Sequence, residues 1–240
     1  RAILASQARE AQVYFNIDPN SHPHLASLID VVRHENTPLL VMDWAEQGSL
    51  NNWLKAHADL RGRCTEAKQL AFLDKQALEF AIQIARGLVS MHTELGLVHQ
   101  DLKPGNILRF GNLLRIADFG LCCSSFEPAG KGATTSQGSL GHVDEVSGGT
   151  RGFMSPEQML LRLRNKLIKQ GKKVQEVDAA LGSVWGGDGF GLKPQSPCDV
   201  WAFGLVLALM LGGDSAVGAR ACIRSTRGAE KGNAIELIQV

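Results

Sequence analysis

The stretch Val98–Gly120, VHQDLKPGNILRFGNLLRIADFG, decides how the rest of the chain is read. It holds a carboxylate (Asp101), a cation (Lys103), an amide (Asn106) and a second carboxylate (Asp118). The first three share a turn punctuated by Pro104-Gly105. Two short apolar runs follow, Ile107-Leu108 and Leu113-Leu114 through Ile116, joined at Phe110-Gly111-Asn112, and this pattern predicts a β-hairpin. Such a hairpin sets Asn106 just before its first strand and Asp118 just after its second, so that the amide and the carboxylate converge. Hard oxygen donors of this kind suit magnesium, which keeps waters and substrate phosphates as its other ligands. Asp101 is then free to orient a hydroxyl, and Lys103 to neutralise charge on a phosphate in transfer. Asp, Asn, Pro and Gly taken singly are ordinary turn residues. Their order, with a hairpin between them, is what points to chemistry.

HQDLKPGNIL followed by ADFG resembles the catalytic and magnesium loops of eukaryotic-type serine/threonine protein kinases. The resemblance covers most of the chain apart from insertions near 57–74 and 158–196 and the residues after Leu211. It implies an α+β, two-lobed kinase fold, with a truncated small lobe over 1–43 and a mainly helical large lobe over 44–240, itself expected to be cut short at its end. The implied activity is transfer of the γ-phosphate of ATP to serine or threonine hydroxyls of protein substrates, with ATP and Mg2+ as cofactors. By this resemblance Asp101, Lys103 and Asn106 are catalytic, and Asn106 and Asp118 hold the metal. Met42 guards the back of the adenine pocket, the backbone of Asp43 and Ala45 bonds the adenine edge, and Leu108 belongs to the same nucleotide site. Glu10, the one acid in residues 1–17, is the candidate for the regulatory-helix glutamate that pairs with a strand lysine.

A chain of 240 residues can bury a substantial core, as one domain or two unequal lobes. Its net charge of +1 gives no electrostatic footprint for nucleic acid or an anionic membrane surface. Five cysteines at irregular spacing form neither a zinc pattern nor a disulfide framework, so a reducing, cytoplasmic compartment is expected. No signal peptide opens the sequence, and the longest apolar run, Ala202 to Leu211, is too short to span a bilayer and predicts a buried helix. The start at Arg1 suggests a fragment. No glycine-rich loop with a strand lysine precedes Glu10, and Lys55 is the first lysine, so the parts that cover the ATP phosphates are expected outside this stretch.

Along the chain, residues 1–17 have helical apolar spacing (Ile3, Leu4, Ala8, Ala11, Tyr14, Phe15) broken near Asp18-Pro19-Asn20. Leu25–Val32 and Pro38–Trp44 predict strands, and Ser49 is a candidate helix cap. Residues 57–74 read as charged and irregular. Gln76–Leu95 predicts a long buried helix closed by Gly96. By resemblance, His99 packs beneath Phe119 and Asp199 accepts hydrogen bonds from the catalytic-loop backbone. Gln100 stands where many kinases carry an arginine that receives an activation-loop phosphate. A neutral amide cannot make that contact, so no switch through it is expected, although Thr134, Thr135, Ser136 and Ser139 are available.

Residues 121–148 read as a mobile loop by composition. Thr150 falls where serine/threonine kinases bridge the catalytic aspartate and lysine, and Ser155-Pro156-Glu157 resembles the end of the activation segment. Beyond it, Arg162, Arg164, Lys166, Lys169, Lys172 and Lys173 predict a basic helix, read as a solvated face rather than a docking site for an acidic partner, with Gly182–Pro197 loop-like; GGDGFG at 186–191 follows no strand and is no phosphate loop. Two rivals to the kinase reading belong to other classes. One is a pseudokinase that binds partners without chemistry, which the intact Asp101, Asn106 and Asp118 disfavour. The other is a small-molecule phosphotransferase, which the peptide-binding segment at Thr150 and Ser155-Pro156-Glu157 disfavours.

Overall fold

The computed structural model describes residues 10–35, 37–124, 149–185, 196–212 and 218–221. Ile3, Leu4, Ala8, Thr134, Thr135, Ser136, Ser139 and the 186–191 run lie outside these residues.

The chain enters through helix α1 (residues 10–15), whose apolar residues Val13 and Tyr14 are buried, as is Ile17 just beyond it. Beyond the helix the chain turns at Asp18, whose carboxylate accepts hydrogen bonds from the Asn20 and Ser21 N–H groups and the Ser21 hydroxyl. An antiparallel pair follows, β1 (Leu28–His34) and β2 (Thr37–Met42), with His34 opposite Thr37 and Leu28 opposite Met42. Both strands are displaced from the expected Leu25–Val32 and Pro38–Trp44. Leu25 and Ala26 leave the pair because they are buried against the later hairpin: Ala26 N–H donates to Ile116 O at 2.8 Å, and Ile116 N–H donates to His24 O at 2.9 Å. Asp43 and Trp44 continue past β2 as exposed link residues.

Helix α2 (Leu50–Arg63) buries Leu50, Trp53 and His57, positions that share one face of a helix. Ser49 occupies its N-cap position in extended conformation, but its side chain makes no capping bond. Residues 57–74 are not irregular. Most of them belong to α2 and to the first turns of α3 (Ala67–Val89). Their polar groups are partnered: the His57 ring stacks on Trp53 within α2 at 4.1 Å, and across to α3 His57 Nε2 lies 3.4 Å from Leu73 O and Arg61 meets Asp74 at 2.6 Å, beside a Trp53 Nε1–H bond to Gln76 Oε1 at 3.0 Å.

Helix α3 therefore begins earlier than expected. Its buried residues Leu73, Ala77, Phe80, Ala81, Ile84, Gly87 and Leu88 repeat every three to four positions, the mark of one core-facing stripe. It runs into a π-helical turn, Ser90–Glu94, with Met91 fully buried, and Gly96 at φ 63° turns the chain into β3 (Leu97–Val98). Gly87 marks the closest approach of α3 to the hairpin. A Cβ there would stand 2.9 Å from His24 O and 2.9 Å from Ile116 Cδ1. Gly87→Val is expected to lower unfolding free energy by about 2–3 kcal/mol through overpacking, read by chemical denaturation. Gly62→Ala, with nothing within 4 Å of the new methyl, is the control and should lose nothing.

The predicted hairpin forms as β4 (Ile107–Phe110) and β5 (Leu113–Ile116), with Ile107 opposite Ile116 and Phe110 opposite Leu113. Its two-residue turn uses Gly111 at φ 65°, the left-handed backbone such turns demand. Residues 121–124 are not wholly loop, since β6 (Cys123–Ser124) pairs with β3. Helices α4 (Pro156–Lys169) and α5 (Val174–Trp185) form a pair closed by Leu160 and Val177 and by a bidentate Arg164–Asp178 contact. Gly182 to Trp185 is thus helix, and Ser196 and Pro197 already open α6 (Ser196–Leu211). Helix α6 buries Cys198, Asp199, Ala202, Val206 and Met210, a stripe and not its whole circumference; Val200 and Trp201 are exposed. A single core joins α1, α3, α6 and the β4–β5 hairpin. No helix among the described residues is long and apolar enough to cross a membrane.

Candidate active site

Strand β3 delivers the chain to a buried turn, His99–Lys103, and a single 3-10 turn, Pro104–Asn106, leads on into β4. Gln100 takes the left-handed conformation (φ 67°), which needs external support in a residue with a full side chain. Asp199, 1% exposed, supplies it: its Oδ2 accepts the His99 N–H and its Oδ1 the Gln100 N–H, each at 2.8 Å. His92 Nε2 lies 2.8 Å from the same Oδ2. The start of α6 thereby fixes the two peptides that flank His99, just ahead of Asp101.

Asp101 is itself buried, and its carboxylate is held on both oxygens. Lys103 Nζ donates to Oδ2 at 2.6 Å and Asn106 Nδ2 to the same oxygen at 3.2 Å, while the Thr150 N–H donates to Oδ1. Lys103 Nζ also donates to Thr150 Oγ1 at 2.6 Å, so Thr150 bridges the aspartate and the lysine. Asn106 Nδ2 donates further to Asp101 O at 3.0 Å. With its nitrogen spent on Asp101, the Asn106 amide oxygen has no hydrogen bond among the described residues and can act as a ligand.

The hairpin register brings the second carboxylate to the same end of the sheet. Ala117 N–H donates to Asn106 O at 2.8 Å, and Asp118 follows at φ 68° with its side chain exposed. Its backbone N–H donates to Tyr14 Oη at 3.3 Å. The rings of Tyr14 and Phe119 meet edge-on at 4.9 Å, and those of Phe119 and His99 at 5.8 Å. His99 Nε2 lies 3.0 Å from Ala117 O, and the Asp101 N–H donates to His99 Nδ1, so this ring supports two backbones. Glu10 lies beside Asp118: both carboxylates come within 4 Å of the point where a side chain on Gly120 would begin. Burial, and then the Asp118 charge, raise the Glu10 pKa above its ordinary value.

Asp101, Lys103, Asn106 and Thr150 are thus joined directly, and Asp118 and Glu10 sit together at the hairpin's end. Met42, Asp43 and Ala45 lie at the end of β2 and on the link to α2, and Leu108 on the hairpin strand that adjoins that link. Met42 packs partly buried on the core at the end of β2. The Asp43 carboxylate pairs with Arg115 at 2.9 Å, Ala45 O accepts the Gly48 N–H, and Leu108 bridges Ser49. The hairpin connects this link to the Asp101 group, because Leu108 and Arg115 are its own residues.

Three contributors escaped the sequence reading. Tyr14 was visible only as an apolar helix position, and His92 carried no local signal. Gln158 was foreshadowed by the pattern Ser155-x-x-Gln158, a capping box. Its Oε1 accepts the Ser155 N–H at 3.0 Å, and its Nε2–H donates to Gln100 O at 2.9 Å.

A magnesium ion fits the chemistry of the donors: the Asn106 amide oxygen, unbonded among the described residues, and the exposed Asp118 carboxylate are both hard oxygen ligands. Comparison with known proteins agrees with the geometry. Residues 3–178 match the model of the protein kinase domain family. The chain is 30% identical over 184 residues to the interferon-induced, double-stranded RNA-activated protein kinase of Rattus norvegicus, covering 76% of this chain and 26% of that one. It is 38% identical over 103 residues to the Probable serine/threonine-protein kinase KCC4 of Saccharomyces cerevisiae (42% and 9%), and 31% over 140 residues to the leucine-rich repeat receptor protein kinase EMS1 of Arabidopsis thaliana (57% and 10%). The match spans roughly a tenth to a quarter of these relatives' lengths. With most of its residues matched to the family and its buried turn organised around Asp101, the chain belongs to the protein kinase domain family.

Proposed function

We propose that this domain transfers the γ-phosphoryl group of ATP to serine or threonine hydroxyls of a protein substrate. The observation that carries the reading is the doubly held Asp101 carboxylate, bonded to Lys103, Asn106 and the backbone of Thr150. Thr150 belongs to the segment that leads into α4, so a peptide bound along that segment would present its hydroxyl beside Asp101. The hydroxyl oxygen attacks the γ-phosphorus, its proton passes to Asp101, and the bond to the β,γ-bridging oxygen breaks to release ADP. Lys103 offsets charge on the transferring group. Asn106 and Asp118 would hold magnesium, which when bound neutralises charge on the phosphate oxygens. Met42, the Asp43 and Ala45 backbone and Leu108 would line the adenine side. Glu10, beside Asp118 with no cation facing it among the described residues, would take the ammonium of a strand lysine. On this reading the small lobe ends near Asp43, and a supply of ATP places the domain inside the cell.

A domain that only binds partners is the alternative. The discriminating measurement is melting temperature of the full-length protein with ATP, with and without magnesium. Ligand linkage predicts a gain of about 2.7 kcal/mol at about a hundredfold excess over the dissociation constant. A shift that requires magnesium, together with phosphate incorporation into casein or myelin basic protein, supports the kinase reading. A full-length protein that neither shifts nor transfers phosphate overturns it in favour of the binding module.

A further inference from the structure

Segment 149–158 reaches the catalytic turn at two points. One is Thr150, already described. The other is the carbonyl of Gln100, immediately before Asp101, and it is gripped by a side chain 58 residues away. Gln158, 6% exposed, spends its whole carboxamide on this junction: Oε1 takes the Ser155 N–H that opens α4, and Nε2–H reaches Gln100 O. Gly149 closes over the same carbonyl, since a Cβ there would stand 3.1 Å from Gln100 O and 3.0 Å from Met154 Cε. Gln100 is therefore held through both of its flanking peptides, by Asp199 on its N–H and by Gln158 on the carbonyl it shares with Asp101.

We propose that Gln158 is a positioning residue for phosphoryl transfer, an uncharged tether that holds the substrate-side segment against the turn carrying Asp101. Rotation of the Gln100–Asp101 peptide would carry the Asp101 carboxylate with it, and the left-handed Gln100 gives that peptide no preference of its own for the observed orientation. The contact between Gln158 and Gln100 is itself uncharged. The Gln100 side chain lies against Cys123, whose thiol is pushed up to about 11 chiefly by burial. A contact between two amides depends on no phosphate, so the docked arrangement of segment and turn would persist in the unmodified protein. This inference rests on the kinase reading above, because a tether on Asp101 matters only where Asp101 receives a proton.

Gln158→Glu in the full-length protein separates tethering from folding. Glutamate fills the same capping-box position and still accepts the Ser155 N–H. It loses the donor to Gln100 O and sets a carboxylate oxygen against that carbonyl. The expected result is a fall in kcat of about 10- to 100-fold, the scale of a small misplacement of a reacting group, with KM for MgATP changed less than about twofold. The melting temperature should stay within a few degrees of wild type. An unchanged kcat overturns the proposal. So does a loss of MgATP affinity in step with kcat, which would make Gln158 merely structural. If the glutamate variant does not fold, Gln158→Met, of similar length and without either hydrogen bond, is read by the same criteria. Failure of the kinase reading looks different: the wild-type protein itself would then transfer no phosphate.

Discussion

Asp118→Ala is expected to lower turnover by roughly a thousandfold or more in the full-length protein while leaving the fold nearly intact. The size follows from the role proposed for the carboxylate, since removing a main charge stabiliser from a phosphoryl-transfer site costs on this scale. The small structural cost follows from its setting. The side chain is exposed, and the hydrogen bond tying the residue to Tyr14 Oη is made by the backbone and survives the substitution. The φ of 68° is less comfortable for alanine than for aspartate, a penalty of about 1 kcal/mol. Asp118→Asn separates the two effects, because asparagine tolerates the left-handed backbone but carries no charge. Both variants should lose the magnesium-dependent part of the ATP-induced stabilisation. A second readout is internal to the protein: without the Asp118 charge, the Glu10 pKa should move down, leaving burial as the main cause of its elevation. A turnover loss under about tenfold, with the magnesium-dependent shift preserved, would remove Asp118 from the metal site.

The sequence made Asp118 legible because the chemistry fixes residue types and the hairpin fixes their separation. A two-residue turn at Gly111-Asn112 forces Ile107 opposite Ile116, and Asn106 must then lie beside Ala117. What stayed hidden was tertiary. Leu25 has strand-like neighbours, but its bridge is to Ile116, far along the chain. Residues 57–74 looked irregular because charges interrupt their apolar pattern, yet Arg61 and His57 find Asp74 and Leu73 O across the α2–α3 turn. The basic run after α4 begins looked like a uniformly solvated face, and Arg164 instead pairs with Asp178 on α5. Ser155-x-x-Gln158 announced a helix start, but nothing local announced that the other end of the Gln158 amide would be used 58 residues away. Short-range chemistry was readable, and partners chosen by packing were not.

Asp199→Ala is expected to be the most destabilising substitution in the site, and to disable it by a different route. The carboxylate lies inside the fold. It is 1% exposed and accepts two backbone N–H groups, from His99 and Gln100, with His92 Nε2 against one of the same oxygens. Alanine leaves both buried donors without an acceptor, at about 1–3 kcal/mol each, so a total loss of about 3–5 kcal/mol is expected by denaturant titration. For a domain of this size that corresponds to a fall of roughly 10 °C in melting temperature. Asp199→Asn keeps one acceptor oxygen and should cost about half as much. Activity should fall even where the variant remains folded, because the left-handed Gln100 loses the acceptor on its N–H, keeping the Gln158 contact on its carbonyl, and Asp101 loses its fixed approach to the hydroxyl. Assay at a temperature well below the variant's melting point separates this effect from unfolding. The two substitutions therefore fail in opposite ways. Asp118→Ala should bind magnesium poorly in a stable domain, and Asp199→Ala should keep its metal ligands in a domain whose catalytic turn has lost its anchor. A loss under about 1 kcal/mol for Asp199→Ala would mean that the turn holds its shape without the carboxylate, and the anchoring role would be withdrawn.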